Sequence, residues 1–494
     1  MRIPFPERVP IFPAIVFALV LCSLQQLEGT TLIFSACTFG FIVVATLAFN
    51  VVGGLTRPSG GYIAAYTLLA VLIGISYKVL IGEPGQSNLQ QPELTIEVYL
   101  GAITAMGAAA YLSRRFVLNK PLIRQFKSNA DMGRAALSCS VIGIFANVYL
   151  AARTSTAEAG SLLSALEQLN AFLIIGIVAG MIYEIRRSGG RRSLNLVTML
   201  ACILTFVLGV ITYSKQGIFT AFVCWILAVA SQRYKVSLLQ IGSLILAAGF
   251  ISYYLVPYSQ YGRSFRIEGG SFSENLKINI LLLSNLDKVR TAFKEQNDDL
   301  YTGTDFSRYY NEPQGLADRL QMITPDDLIV NYTAHGGVFG LEPTIFGFEN
   351  LIPHFIWHDK PIIGFGNVYA HEIGMISDET DTTTGISFSP AGEAFHQAKW
   401  AGIFILLPIL LFFYFLIVDS VCGDTRSSPF SLLVMIGALH SAPEGGVGEI
   451  IRGPTVEIMG LILLSSLVIY LMPLIANLIL GPVKADYEAP TTYT

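Results

Sequence analysis

The chain has 494 residues, of which 53% are hydrophobic and only 13% charged, with a formal net charge of −4 and a mean hydropathy of +0.57. Soluble domains carry about 25% charged residues, so this composition excludes one and points to an integral membrane protein. The net charge is small, and no nucleic acid is expected as a partner.

In chain order, the N-terminus MRIPFPERVP precedes an apolar run as a signal peptide would, but no small-residue cleavage site stands out before the second apolar run. It reads as a retained first helix that sets orientation. A hydrocarbon core needs about 20 apolar residues per helix. On that criterion about twelve spans are predicted, at 11–27, 31–55, 61–82, 98–113, 135–152, 163–185, 195–213, 216–231, 237–257, 401–418, 429–441 and 456–480.

The fold class expected is therefore an all-α polytopic membrane protein. It divides into a nine-helix membrane region (1–257), a large outer loop with short helices (258–400), a three-helix membrane region (401–481) and a tail (482–494). The most basic loops, 114–134, 186–192 and 232–235, fall on one side if the spans alternate, and the positive-inside rule makes that side cytoplasmic, with both termini. The 258–400 segment then lies outside. It holds ten Lys/Arg against nineteen Asp/Glu and five of the six histidines, with too many aromatic residues for a linker. Cys22, Cys37, Cys139, Cys202, Cys224 and Cys422 lie in or beside apolar segments, and no Cys/His spacing suggests a metal.

Four places could carry chemistry. Lys215, in the turn YSKQG before span eight, either snorkels to water or holds an anion at the membrane surface. Arg263 and Arg266, just past span nine, either touch lipid headgroups or grip phosphate, for which the guanidinium fork is suited. Glu393 and His396, three residues apart in SPAGEAFHQAKW, share one helical face before span ten. They read either as an exposed polar turn or as a base for a sugar hydroxyl, with Glu393 the first choice and His396 the second. Lastly, HSAPEGGVGEIIRG places His440, Glu444, Glu449 and Arg452 near bilayer depth, where ionisable groups line cavities or meet each other. His335 reads more readily as a loop histidine, and Glu167 in span six either faces the same cavity or bridges helices.

The runs IPHFIWHDKPIIGFGN (352–367) and TGISFSPAGEAFHQAKWAGIFILL (384–407) resemble bacterial O-antigen and oligosaccharide-repeat-unit polymerases of the Wzy type. The run SKQGIFTAF (214–222) resembles a Ser-Arg-Gly helix start in the wider polymerase and O-antigen ligase superfamily, with lysine in place of arginine. The resemblance implies a GT-C-like helical bundle in the bacterial inner membrane. Its activity would be transfer of a glycan from an undecaprenyl-pyrophosphate carrier to an acceptor on a second carrier, at the periplasmic face, without a cofactor or metal.

The partners implied are the donor and acceptor lipid-linked glycans, membrane lipid, a chain-length regulator and a flippase. Glu393, His396 and Arg263 would be catalytic, and Lys215, Arg266, Arg452, His335 and Glu444 would bind substrate. Three other readings remain at this point: a flippase or other transporter, an O-antigen ligase, and a non-catalytic scaffold for polysaccharide export.

Overall fold

A computed structural model describes residues 1–151, 169–265, 272–301, 323–352, 356–357, 359–361, 363–378, 380–382 and 384–481. Among these residues the chain is helical, with no strand. Arg266 and Glu167 lie outside the described residues.

The helices are α1 (Ile11–Leu27), α2 (Leu32–Val52), α3 (Pro58–Ile81), α4 (Pro92–Ser113), α5 (Asn129–Ala151), α6 (Asn170–Arg187), α7 (Leu196–Ile211), α8 (Lys215–Ser231) and α9 (Leu238–Arg263). Then follow α10 (Phe272–Leu283), α11 (Leu286–Tyr301), α12 (Ile323–Gly336), α13 (Glu342–Glu349), α14 (Phe365–Glu372), α15 (Pro390–Cys422), α16 (Pro429–Glu444) and α17 (Gly446–Leu480).

Seven of them are long and apolar enough to cross a membrane: α2, α3, α4, α5, α9, α15 and α17. Three shorter apolar helices, α1, α7 and α8, accompany them. The expectation of twelve spans is therefore met only in its coarser form, a polytopic helical protein. Side chains such as Leu238, Leu239 and Leu246 on α9 stand more than three-quarters exposed, which suits a surface facing lipid and not water.

Local sequence sets the helix ends. Ser237 and Gln240 form a reciprocal capping box at the start of α9. Thr31 accepts the Phe34 amide at the start of α2, and Gly53 ends that helix at φ 102°, a left-handed conformation that glycine takes freely. Three buried aspartates do the same work across the tertiary fold. Asp419, within α15, accepts the Ser59 amide (3.1 Å) and hydroxyl (2.6 Å) at the start of α3. Asp327 accepts the Gln90 amide, the Gln91 amide (3.0 Å) and the Thr95 hydroxyl (2.8 Å) at the start of α4. Asp326 accepts the Ser389 amide (2.8 Å) and hydroxyl at the start of α15, together with the Tyr99 hydroxyl (2.6 Å) of α4. Each carboxylate satisfies orphan N–H groups and meets the positive end of a helix dipole.

One end of the bundle gathers the N-terminus and the basic loops. The Met1 amino group donates to Val236 O (2.8 Å), Leu55 N to Pro6 O (2.9 Å), Thr425 N to Thr56 O (3.0 Å) and Ile123 N to Val421 O (3.0 Å). Arg186 and Gln232 both reach the Arg426 carbonyl. The opposite end carries the 82–91 loop, the 212–215 turn, and α12 to α14.

The start of α15 departs from expectation. The helix begins at Pro390, not near 401, so Glu393 and His396 lie inside it. It is broken at Ala398 and Lys399, and Lys399 has φ 49° and ψ −134°. A helix break frees carbonyls that must find other donors. The His396 carbonyl accepts the Phe339 amide (2.9 Å), and the Gln397 carbonyl accepts that of Gly340 (3.2 Å). The segment after α12 thus seals the break. Likewise α9 continues to Arg263, beyond the boundary expected at 257.

Candidate functional site

At the end opposite the basic loops, a cavity of about 620 Å³ opens between α8, α15, α16 and α17. Its polar wall is formed by Gln216, His440, Glu444, Glu449, Arg452 and Glu457. The sequence HSAPEGGVGEIIRGPTVE builds it in two ways. Gly445 and Gly446 turn the chain from α16 into α17, with Gly446 at φ +59°. Pro454, lacking an amide hydrogen, falls in a widened turn over Gly453–Glu457.

Arg452 pairs with Glu449 (3.3 Å) and lies 3.7 Å from Glu457. His440 Nδ1 lies 3.5 Å from Glu444 Oε2. These groups are partly exposed, so each pair is screened and contributes little to stability on its own. The cavity is carboxylate-rich, and its one guanidinium is already held between two acids.

Of the residues singled out in the sequence, His440, Glu444, Glu449 and Arg452 line this cavity; Lys215 and Arg263 do not, although Gln216, the residue after Lys215, does. Arg263 is tied to the 212–215 turn, since its Nε donates to the Tyr213 carbonyl (3.3 Å), and Gly262 packs against the Tyr213 ring. Lys215 itself opens α8 beside the cap residue Ser214, whose hydroxyl accepts the Gly217 amide (3.1 Å).

Glu393 does not line the cavity but supports it from behind. It is 7% exposed and accepts hydrogen bonds from the Tyr369 hydroxyl (3.0 Å), Gln397 Nε2 (3.4 Å) and the Val447 amide. Burial, followed by the Glu393 charge, raises the Tyr369 pKa, which keeps that phenol a donor. Of the two readings of this stretch, the exposed polar turn is excluded, since both carboxylate oxygens are engaged inside the protein.

His396 is fully buried in a second constellation. Thr333 donates its one hydroxyl proton to the Ile329 carbonyl (2.6 Å) and lies 2.8 Å from His396 Nδ1, so Nδ1 is assigned the donor role. Nε2 then faces Glu372 Oε2 at 3.1 Å. The Glu372 side chain is 25% exposed and connects this pair to solvent. Aromatic rings of Tyr332, Phe339 and Tyr369 enclose the imidazole. His335, on the last turn of α12, is exposed and bonded to the Asn331 carbonyl (2.9 Å) of its own helix, and it does not line the cavity.

Sequence reading missed Glu372, Thr333, Asp326 and Glu457. Glu457 carried a legible signal, a charge inside an apolar span. The other three did not, because their partners are tens of residues away along the chain. Burial raises Asp326 from 3.8 to about 7, against the lowering effect of the Ser389 and Tyr99 hydrogen bonds.

No group of three or more His, Cys, Asp or Glu with the geometry of a metal site occurs among the described residues. The fold and cavity define a helical, membrane-embedded protein with a polar cleft near one end of its bundle. Compared with known proteins, the chain matches no family model, no curated protein and no solved structure. The resemblance to Wzy-type polymerases accordingly rests on its motifs alone.

Proposed function

We propose that this chain is a membrane glycosyltransferase that extends a surface polysaccharide, joining polyprenyl-pyrophosphate-linked oligosaccharides at the periplasmic face of a bacterial inner membrane, with both termini cytoplasmic. The observation that carries the reading is the carboxylate-rich cavity, whose wall combines Gln216, next to Lys215 in the chain, with the 440–457 segment. Carboxylates and a clamped arginine suit sugar hydroxyls, and the adjoining Lys215 and Arg263 suit the phosphates of a lipid carrier held at headgroup depth.

In this reading the acceptor hydroxyl attacks the anomeric carbon of the donor glycan. The bond from that carbon to the pyrophosphate oxygen breaks, and the lipid pyrophosphate leaves with the bonding pair. The acceptor proton passes to His440, which Glu444 orients. General-base help of this kind is typically worth about 10²–10⁴-fold. Glu393 fixes the turn that shapes the cavity, and is a positioning residue rather than the base. The fuller expectation of twelve spans in a GT-C-like bundle belongs to this proposal too.

The test is reconstitution of the purified protein with a lipid-linked oligosaccharide, read as a ladder of chain lengths. Wild type should give a ladder. His440→Asn and Arg452→Gln should slow extension at least tenfold while leaving the protein folded. Transfer of the glycan to a lipid A core acceptor instead would identify a ligase. Movement of intact lipid-linked units across the bilayer, with no new glycosidic bond, would overturn the enzyme reading in favour of a flippase.

A further inference from the structure

A second cavity, of about 440 Å³, lies at the other end of the bundle, among the basic loops. It sits between the starts of α5 and α7 and the end of α6, beside the last residue of α17. Its polar lining is Arg134, Ser140, Tyr183, Arg187, Asn195 and Thr198, and its apolar lining includes Leu196 and Leu480. No Asp or Glu is among the lining residues.

Three observations bear on what fits there. Arg134 Nη1 is buried and has no hydrogen-bond partner among the described residues. A buried guanidinium N–H without an acceptor is costly, so such a group calls for an explanation. Arg187, 5.9 Å over the Tyr183 ring, supplies a second positive charge to the same space. The first turn of α7, capped by the Asn195 side chain on the Thr198 amide (2.9 Å), adds the positive end of a sixteen-residue helix. Together they form a site for an anion with several acceptor oxygens.

The rim decides which kind. Leu196 and Leu480, which line the cavity, are apolar and 67% and 61% exposed. A soluble anion has no use for that apolar rim, whereas an acyl chain packs on it. Basic pockets between membrane helices on the side of the basic loops are suited to phosphate headgroups. We infer that this cavity binds the phosphate of an anionic membrane lipid, with Arg134 and Arg187 on the headgroup and the acyl chains against Leu196 and Leu480. The inference does not depend on the reading of the carboxylate-rich cavity.

The experiment uses the full-length protein purified in detergent and titrated with vesicles of phosphatidylglycerol, vesicles of phosphatidylcholine, or inorganic phosphate. Thermal protection and lipid retained on the protein by mass spectrometry are the readouts. Phosphatidylglycerol should protect and be retained, and phosphatidylcholine should not. Arg134→Gln and Arg187→Gln should each weaken phosphatidylglycerol binding by about fivefold, the worth of one basic residue near a lipid surface. Arg191→Gln, outside the lining, should leave it unchanged.

Equal retention of the two lipids, or full binding in both variants, would overturn the site. Protection by inorganic phosphate equal to that by phosphatidylglycerol would replace the lipid with a soluble anion. Arg187 is exposed, so its variant decides the matter even if Arg134→Gln is not recovered folded.

Discussion

The buried carboxylate of Glu393, on α15, accepts the backbone amide of Val447, at the start of α17, and so fixes the turn that opens the carboxylate-rich cavity. Gly446, at φ +59°, lies against the same carboxylate, where a Cβ would collide with Oε2. Gly446→Ala therefore suffers both a disfavoured backbone and a clash, and should lower stability by more than about 1 kcal/mol. Glu393→Gln turns an amide donor toward other donors and should cost about 1–3 kcal/mol. Thermal unfolding in detergent measures both, and wild-type melting of either variant would remove the role assigned to this pair.

Lys399 holds φ 49° and ψ −134°, the conformation of the first central residue of a type II′ turn, which glycine adopts without strain. Lys399→Gly should raise stability by about 1 kcal/mol, because no side chain is then forced into that region. A melting temperature below wild type would show that the lysine side chain contributes more than its backbone costs.

Asp326 gives a pH dependence with a defined sign. The folded state holds its proton up to about pH 7, whereas the unfolded state releases it near 3.8. Below the lower value both states are protonated and nothing is lost. As pH rises through the interval, the folded state binds the extra proton and stability falls. Above about 7 the loss is complete. The interval corresponds to at most about 4 kcal/mol. Unfolding measured across pH in wild type and in Asp326→Asn should show this decline only in the wild type. Parallel curves would place the titration elsewhere.

Asp327 caps α4 through two amides and a hydroxyl. Asp327→Ala should cost about 1–2 kcal/mol, as loss of a helix cap does. Amide exchange should accelerate at residues 90–95 and stay unchanged at the far end of α4. Uniform acceleration along the helix would mean that the residue supports the whole bundle and not one helix start.

Much of this architecture was present in the residues taken one by one. Apolar runs announced helices for lipid, because hydrocarbon leaves the backbone no partners but its own. Clusters of Lys and Arg foretold which loops share an end, since charge asymmetry is a property of short segments. The stretch from His440 to Arg452 disclosed a polar cavity because ionisable groups beside lipid need one another or water. What folding alone decided was pairing at a distance. Asp326 meets Ser389, Thr333 fixes His396, and Glu393 holds Val447 across separations of more than fifty residues, where no periodicity reaches. The break at Lys399 belongs to the same class. The Phe339 and Gly340 amides, arriving from another element, satisfy the carbonyls that the interruption frees.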